Sequence, residues 1–522
     1  FYRPPSVPFR WASMATVVAS AVLLIFVASN LFTSLTEEDA LEENGIAKEA
    51  DVLAPKEVEA KGQQDQEGDL ATPPPGRVQG QVAAPTQILF TNVNIFDGIS
   101  DSLTSGNVLV KDNLISEIST ERIAGTPDML VIDGGGRTLM PGLIDSHVHF
   151  NGYGGAIENP EEAQIADWEL IAAQATFNAR DLFMDGFTTV RDAGGNSDAL
   201  RVLIDKGVLV GPRFYPSGPI ICPTSGHCDS RAPAQRVPGA APSWAEMLGL
   251  MAIADSPDEV SAAARFSLSK GATQIKLIAS GGIASSLDPL WTLQYTQAEL
   301  EAAVAAAERF DTYVFVHAYT DESIRVSIDA GVKSIEHGQM MSDETMKLLV
   351  DKGVYYTPDL TGLDPAIFTI PRYGSPRIRP KVEFFQEGSK DLVELIKKHK
   401  PKINFNAVAV GLGTQEARAT RDLELDLFSK WFGNHALLVA ITSTPGEMAQ
   451  LTGLRNPYPA GKLGVIEEGA YADILVVDGN PLEDASVLGA SDRFYTGEER
   501  GEGHDTMRVI MKDGVIYKNT IP

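Results

Sequence analysis

Leu139-Met140-Pro141-Gly142-Leu143-Ile144-Asp145-Ser146-His147-Val148-His149-Phe150 reads as a short apolar strand ending in two histidines one residue apart. Side chains alternate faces along a strand, so His147 and His149 point the same way. Two imidazoles side by side at a strand end can ligate one metal ion, the rest of the coordination coming from elsewhere. A bare His-x-His also fits two polar residues where a strand leaves the core. The remaining ligands therefore have to be found in the rest of the chain.

Downstream, short apolar strands alternate with helical patterns. Residues 188–192, 274–278, 314–317, 334–337 and 354–357 read as strands, and 297–310 (apolar at Leu300, Val304 and Ala307) and 321–330 as helices. Repeated strand–helix units predict an α/β fold, a TIM-type (β/α)8 barrel over residues 141–455. The chemistry of such barrels sits at the C-terminal ends of the strands, where His147, His149, His317 and His337 fall. One histidine at a strand end is more often structural than functional; four in one barrel point to a metal site. Lys276 is a second anomaly, because its strand is otherwise largely apolar. A barrel-facing lysine is costly unless paired or chemically altered, and carboxylation would make it an anion able to bridge two ions. Its ordinary alternative is a lysine reaching up to the barrel mouth.

Strand-like segments also occur before and after the barrel, at 88–98 and 107–118 and again at 472–478 and 507–517. They predict a small β-sandwich domain built from both ends of the catalytic region, residues 86–140 and 456–522. Ahead of them, Arg3 and Arg10 precede an uncharged run from Trp11 to Thr36, long enough for the about 20 residues that span a bilayer. Residues 1–36 are thus either a membrane anchor oriented N-inside or a cleaved signal peptide. Both predict export, membrane-anchored in the first case and secreted or periplasmic in the second. Residues 37–85 are acidic and proline-interrupted, which predicts a disordered spacer.

The 522 residues carry a net charge of −27, which excludes nucleic acid and anionic membrane surfaces as partners. Two cysteines, Cys222 and Cys228, can pair with each other but cannot form a disulfide framework. His399 and His504 lie in polar surroundings and read as surface residues, and His435 as a helix-boundary residue.

From about residue 86 to the end the chain resembles the amidohydrolase superfamily, in its imidazolonepropionase-like and Xaa-Pro dipeptidase (prolidase-like) branch. The resemblance rests on the opening stretch and on Asp185-Gly186-Phe187-Thr188-Thr189-Val190-Arg191-Asp192, Thr224-Ser225-Gly226-His227-Cys228-Asp229, Ile275-Lys276-Leu277, His317-Ala318-Tyr319 and Ser334-Ile335-Glu336-His337-Gly338. A later match runs from Gly464 to Leu482. It implies two divalent ions, zinc by default for such ligands. His147 and His149 would hold one, His317 and His337 the other, and carboxylated Lys276 would bridge them. A bridging water would attack the amide carbonyl of a dipeptide or cyclic amide. The resemblance also makes His227 and Tyr319 substrate-binding residues, and oligomers are common among such barrels.

The chain departs from the family at one place. An aspartate is expected at the end of strand eight, as metal ligand and proton relay. Aligned on 402–408 that position is Val408; a second register puts it at Gln415. Neither is an aspartate, and Glu416 is the nearest carboxylate. Two outcomes follow: a metal-dependent amidohydrolase, or a catalytically impaired barrel of the same fold that binds metal or ligand.

Overall fold

The structure, a computed structural model, describes residues 87–150, 166–195, 198–237, 239–285, 287–407 and 412–522. The expected N-terminal segments 1–36 and 37–85, and Val408, lie outside the described residues.

The strands run in chain order as β1 (Gln87–Ile95), β2 (Thr104–Lys111), β3 (Leu114–Ser119), β4 (Leu130–Asp133), β5 (Thr138–Pro141) and β6 (Leu143–Val148). They continue as β7 (Phe187–Asp192), β8 (Arg213–Tyr215), β9 (Ile220–Cys222), β10 (Met251–Ile253), β11 (Ile275–Ile278) and β12 (Val314–Thr320). The last are β13 (Ser334–Met340), β14 (Tyr355–Thr357), β15 (Ile474–Val477), β16 (Met507–Lys512) and β17 (Val515–Asn519).

Strands from both ends of the described chain meet in a single eight-stranded sheet, ordered β17-β16-β15-β5-β1-β2-β3 with β4 beside β1. Alternation along β15 and β16 decides what each face does. Leu475, Val477 and Ile510 turn into the large core that also contains Phe183, Phe187 and Phe214. Ile474, Val476, Val509 and Met511 turn the other way and pack with Phe90, Val108 and Ile466.

The remaining strands are parallel and interleaved with helices, as the sequence pattern predicts. Strands β12 and β13 end in Thr320 and near Ser342, whose hydroxyls cap the helices Asp321–Asp329 and Asp343–Asp351 by accepting from the backbone N–H of Ser323 and Thr345. The expected closed cylinder is met only in part, because the ladder is split into two parallel sheets, β6-β7-β8 and β10-β9-β11-β12-β13-β14. One break is chemical: Pro216-Ser217-Gly218-Pro219 separates β8 from β9, and proline has no N–H to give to a ladder. The other falls at the eighth position. Residues 402–405 lie between β14 and β6, with Tyr356 N donating to Lys402 O (2.9 Å) and Ser146 N to Phe405 O (3.0 Å), but they form only an isolated bridge, Tyr356 to Ile403.

Candidate metal centre

His147 lies in the last turn of β6 and His149 just past its end; Lys276, His317 and His337 lie on β11, β12 and β13. Four of the five sit on strands of the parallel sheets, His149 following directly on β6, and His147, Lys276, His317 and His337 are buried. The ring centroids of His147 and His149 are 5.2 Å apart, those of His147 and His337 5.0 Å, and those of His317 and His337 4.6 Å. The strand-end histidines predicted from sequence are therefore brought together. His337 adopts φ +69°, a left-handed conformation that a buried non-glycine residue takes only when its surroundings impose it.

The hydrogen bonds indicate which nitrogen of each ring keeps its lone pair. His149 Nδ1 faces the Gly194 carbonyl (3.4 Å), which can only accept, so Nδ1 is the protonated nitrogen. His147 Nδ1 faces a Glu336 carboxylate oxygen at 2.8 Å, with the same consequence. Their two Nε2 atoms then face each other at 3.3 Å, lone pair to lone pair. Two acceptors at that distance repel unless a cation or proton lies between them. His317 Nε2 faces the Gly281 carbonyl at 3.3 Å, leaving the lone pair on Nδ1. His337 Nδ1 is buried without a hydrogen-bond partner among the described residues.

Burial sets the electrostatics. Burial, then the positive field of Lys276, holds His149 down at about 3. Burial also keeps His147, His317 and His337 well below the usual imidazole range. Burial lowers Lys276 to about 7, so near neutral pH a large share of its amine is uncharged and nucleophilic. The Lys276 Nζ lies 5.1 Å above the Phe315 ring.

These donors suit divalent ions of the zinc type: neutral imidazoles with accessible lone pairs beside a reactive amine. Among the described residues no group of three or more His, Cys, Asp or Glu side chains is placed to hold an ion by itself. What is present is two pairs of imidazoles, His147 with His149 and His317 with His337, near the buried Lys276.

Both expected substrate residues border this cluster. The His227 imidazole stacks on His317 (centroids 4.4 Å apart, planes 21° apart), and Tyr319 stacks on His337 (4.9 Å, 3°). Cys222 and Cys228 are joined in a disulfide that closes the loop carrying His227. The buried Asp288 faces His227 Nδ1 at 3.3 Å. Gly282 makes the placement possible, since a Cβ there would overlap the His227 ring.

The remaining sequence expectations divide. Gln415 bonds the backbone of Arg500 through both ends of its amide, and Glu416 is exposed. His435 is at the start of the helix Asn434–Ile441, as expected. His504 corrects the expectation of a surface residue. It is 8% exposed, its Nε2 3.8 Å from Asp422 and 3.9 Å from Asp185, because a buried ion network surrounds it. Two buried groups beside the cluster escaped the sequence reading, Arg191 and Glu336. Arg191 lies on β7, whose residues are all buried in the fold.

Residues 138–514 match the Amidohydrolase family. The ochratoxinase of Aspergillus niger is 28% identical over 406 residues, covering 76% of this chain and 82% of that protein. A solved prolidase complexed with N-methylphosphonate-L-proline is 30% identical with a TM-score of 0.73, covering 83% of this chain and all of the other. A Xaa-Pro dipeptidase solved with methionine in its active site is also 30% identical, with a TM-score of 0.68 and coverage of 83% of this chain and 100% of that one.

Proposed function

The chain belongs to the amidohydrolase family, and on that premise we propose that it hydrolyses a carbon–nitrogen amide bond of a small substrate such as a dipeptide or cyclic amide. The observation that carries the reading is the convergence of four imidazoles, His147 and His149 with their lone pairs opposed, around the buried Lys276. His147 and His149 would hold one divalent ion, zinc by donor type, and His317 and His337 a second. The neutral Lys276 amine would add to carbon dioxide, forming an N–C bond and releasing a proton, and the resulting carbamate would serve both ions. When bound, the ions would supply acidified water and polarise the amide carbonyl.

The chain's own residues do the rest. Burial keeps the imidazoles unprotonated and ready to ligate. His227 and Tyr319 would contact the substrate carboxylate or carbonyl, with Asp288 and the Cys222–Cys228 disulfide holding the His227 loop in place. The disulfide also supports export, because such bonds persist in oxidising compartments. The uncharged run 11–36 supports the same reading.

One observation favours a second reading, a catalytically impaired binding protein. Aligned on 402–408, the position where the family's pattern has a carboxylate is Val408, and in the second register it is Gln415, whose amide bonds the Arg500 backbone. A screen of Xaa-Pro dipeptides and small lactams with Zn2+ and bicarbonate separates the readings. The hydrolase reading expects zinc-dependent turnover that Lys276→Ala abolishes. If neither the wild type nor Val408→Asp hydrolyses any of these amides, the hydrolase reading is wrong.

A further inference from the structure

A buried charged layer lies beneath the imidazole cluster, and the proposed reaction does not use it. Glu336 is 0% exposed and Arg191 4%. Glu336 Oε1 accepts from Ser334 Oγ (2.6 Å) and Oε2 accepts from Arg191 Nη2 (2.6 Å). Arg191 Nε donates to the Ser146 carbonyl on β6 (2.6 Å), and Nη1 donates to Ser334 Oγ on β13 (3.2 Å). The guanidinium lies over the Phe315 ring of β12, 4.3 Å from its centroid. One arginine on β7 thus grips β6, β12 and β13, three strands that carry His147, His317 and His337.

A buried ion pair can be purely structural, and Arg191 with Ser334 would satisfy Glu336 if nothing else were near. The third partner argues otherwise. His147 Nδ1 approaches Oε2 at 2.8 Å, and an oxygen paired to a guanidinium offers only acceptor sites. His147 therefore has to give its Nδ1 proton to Glu336. Its Nε2 is left bare on the side facing His149.

We propose that Glu336, clamped by Arg191, is a positioning residue that holds His147 in its Nδ1–H tautomer and aims its Nε2 lone pair at the strand-end site. The proposal rests on the reading that this site takes divalent ions. A carboxylate behind a ligating imidazole fixes the ring and raises its basicity, and losing such a partner typically costs about 10–100-fold in metal affinity.

Two measurements test it on the full chain. In the first, Zn2+ is titrated against a competing chelator. Glu336→Gln should weaken one of the two ions about tenfold or more and leave the other near its wild-type affinity, whereas Glu336→Asp, which keeps the charge, should recover part of the loss. A variant that is only less stable would not single out one ion. The second needs no variant: in 15N-histidine-labelled, metal-stripped wild type, His147 should be protonated at Nδ1 and not at Nε2. An Nε2–H tautomer, or unchanged affinity for both ions in Glu336→Gln, overturns the proposal. Should wild type bind no Zn2+, the metal reading fails, while the tautomer still decides the role of Glu336. Should Glu336→Gln fail to fold, the tautomer decides alone.

Discussion

Position 408, where the family's pattern has an aspartate, carries a valine that can neither accept a proton nor bind a metal. A positioned general acid–base contributes about 10²–10⁴-fold, roughly 3–5 kcal/mol of barrier. Wild-type turnover should therefore be slow, and Val408→Asp should raise amide hydrolysis at least about tenfold, read as kcat/KM on the best dipeptide. Brisk wild-type turnover with no gain in the variant would show that another group relays the proton. Gly282→Ala tests the neighbouring pocket. The new methyl has to displace His227, so KM should rise several-fold while the metal content stays unchanged. At this scale the sequence was most legible where a residue type was out of place: histidines at strand ends and Lys276 inside an apolar strand. Glu336 stayed hidden because it sits next to a histidine at a strand end, where a polar residue is unremarkable. Only the folded chain shows its carboxylate turned inward onto His147.

Elements are joined by charge as well as by apolar packing. At the end of the helix Trp168–Met184, Asp185 accepts from Arg421 and Arg500; Arg500 and Arg493 also pair with Asp422 on the helix Thr414–Phe432. Burial alone would raise the Asp185 carboxyl, but the Arg421 and Arg500 guanidiniums outweigh it and hold it well below the usual carboxylate range. Burial lowers His504 below its ordinary value. The signs agree. A depressed carboxylate gives stability that is lost as pH falls below the ordinary carboxylate range. A depressed histidine binds its proton more readily when unfolded, so it too favours unfolding once pH drops below about 6.5. Thermal melts should therefore show a Tm that falls below about pH 6.5, where His504 begins to favour unfolding, and falls further below about pH 4, where the Asp185 contribution is lost. His504→Gln should flatten the upper part of that fall. Asp185→Asn should destabilise the chain at pH 7, by less than the about 3–5 kcal/mol of a fully broken buried pair, because Arg421 keeps Asp181 and Arg500 keeps Asp422. A Tm independent of pH in this range would contradict the network's role. None of this was legible beforehand, because Asp185, Asp422 and the Arg500–His504 segment are far apart in sequence and each looks like a surface residue on its own. The strands and helices of the barrel were legible from periodicity, but the ladder breaks were not. Pro216 and Pro219 signal one of them, whereas the irregular course of 402–405 has no such marker.

For the whole molecule, β15 lies between β5 and β16, and Arg213 on β8 bonds Asp473, just before β15, and Asp513, just after β16 (both 2.7 Å). A chain ending at Arg455 would lose β15–β17, expose β5 as an edge and leave Arg213 buried without its carboxylates, so cooperative melting should disappear. A chain beginning at Ala84 keeps every described strand and should be soluble and melt cooperatively; aggregation of that chain alone would give the preceding residues a structural role. The meeting of both ends was readable in the strand-like segments at 88–98 and 507–517, since each is too short to fold alone. Their union in one eight-stranded sheet was not, because strand order depends on pairings that hydrophobic patterning does not encode. If the four imidazoles and Lys276 form a binuclear metal site, the number of ions each chain retains shows it. After loading with Zn2+ and bicarbonate and removal of free metal, elemental analysis should find about two ions per wild-type chain, and Lys276→Ala should lose most of them. A wild-type chain that retains no zinc, or a Lys276→Ala chain that retains as much as wild type, would rule out such a site.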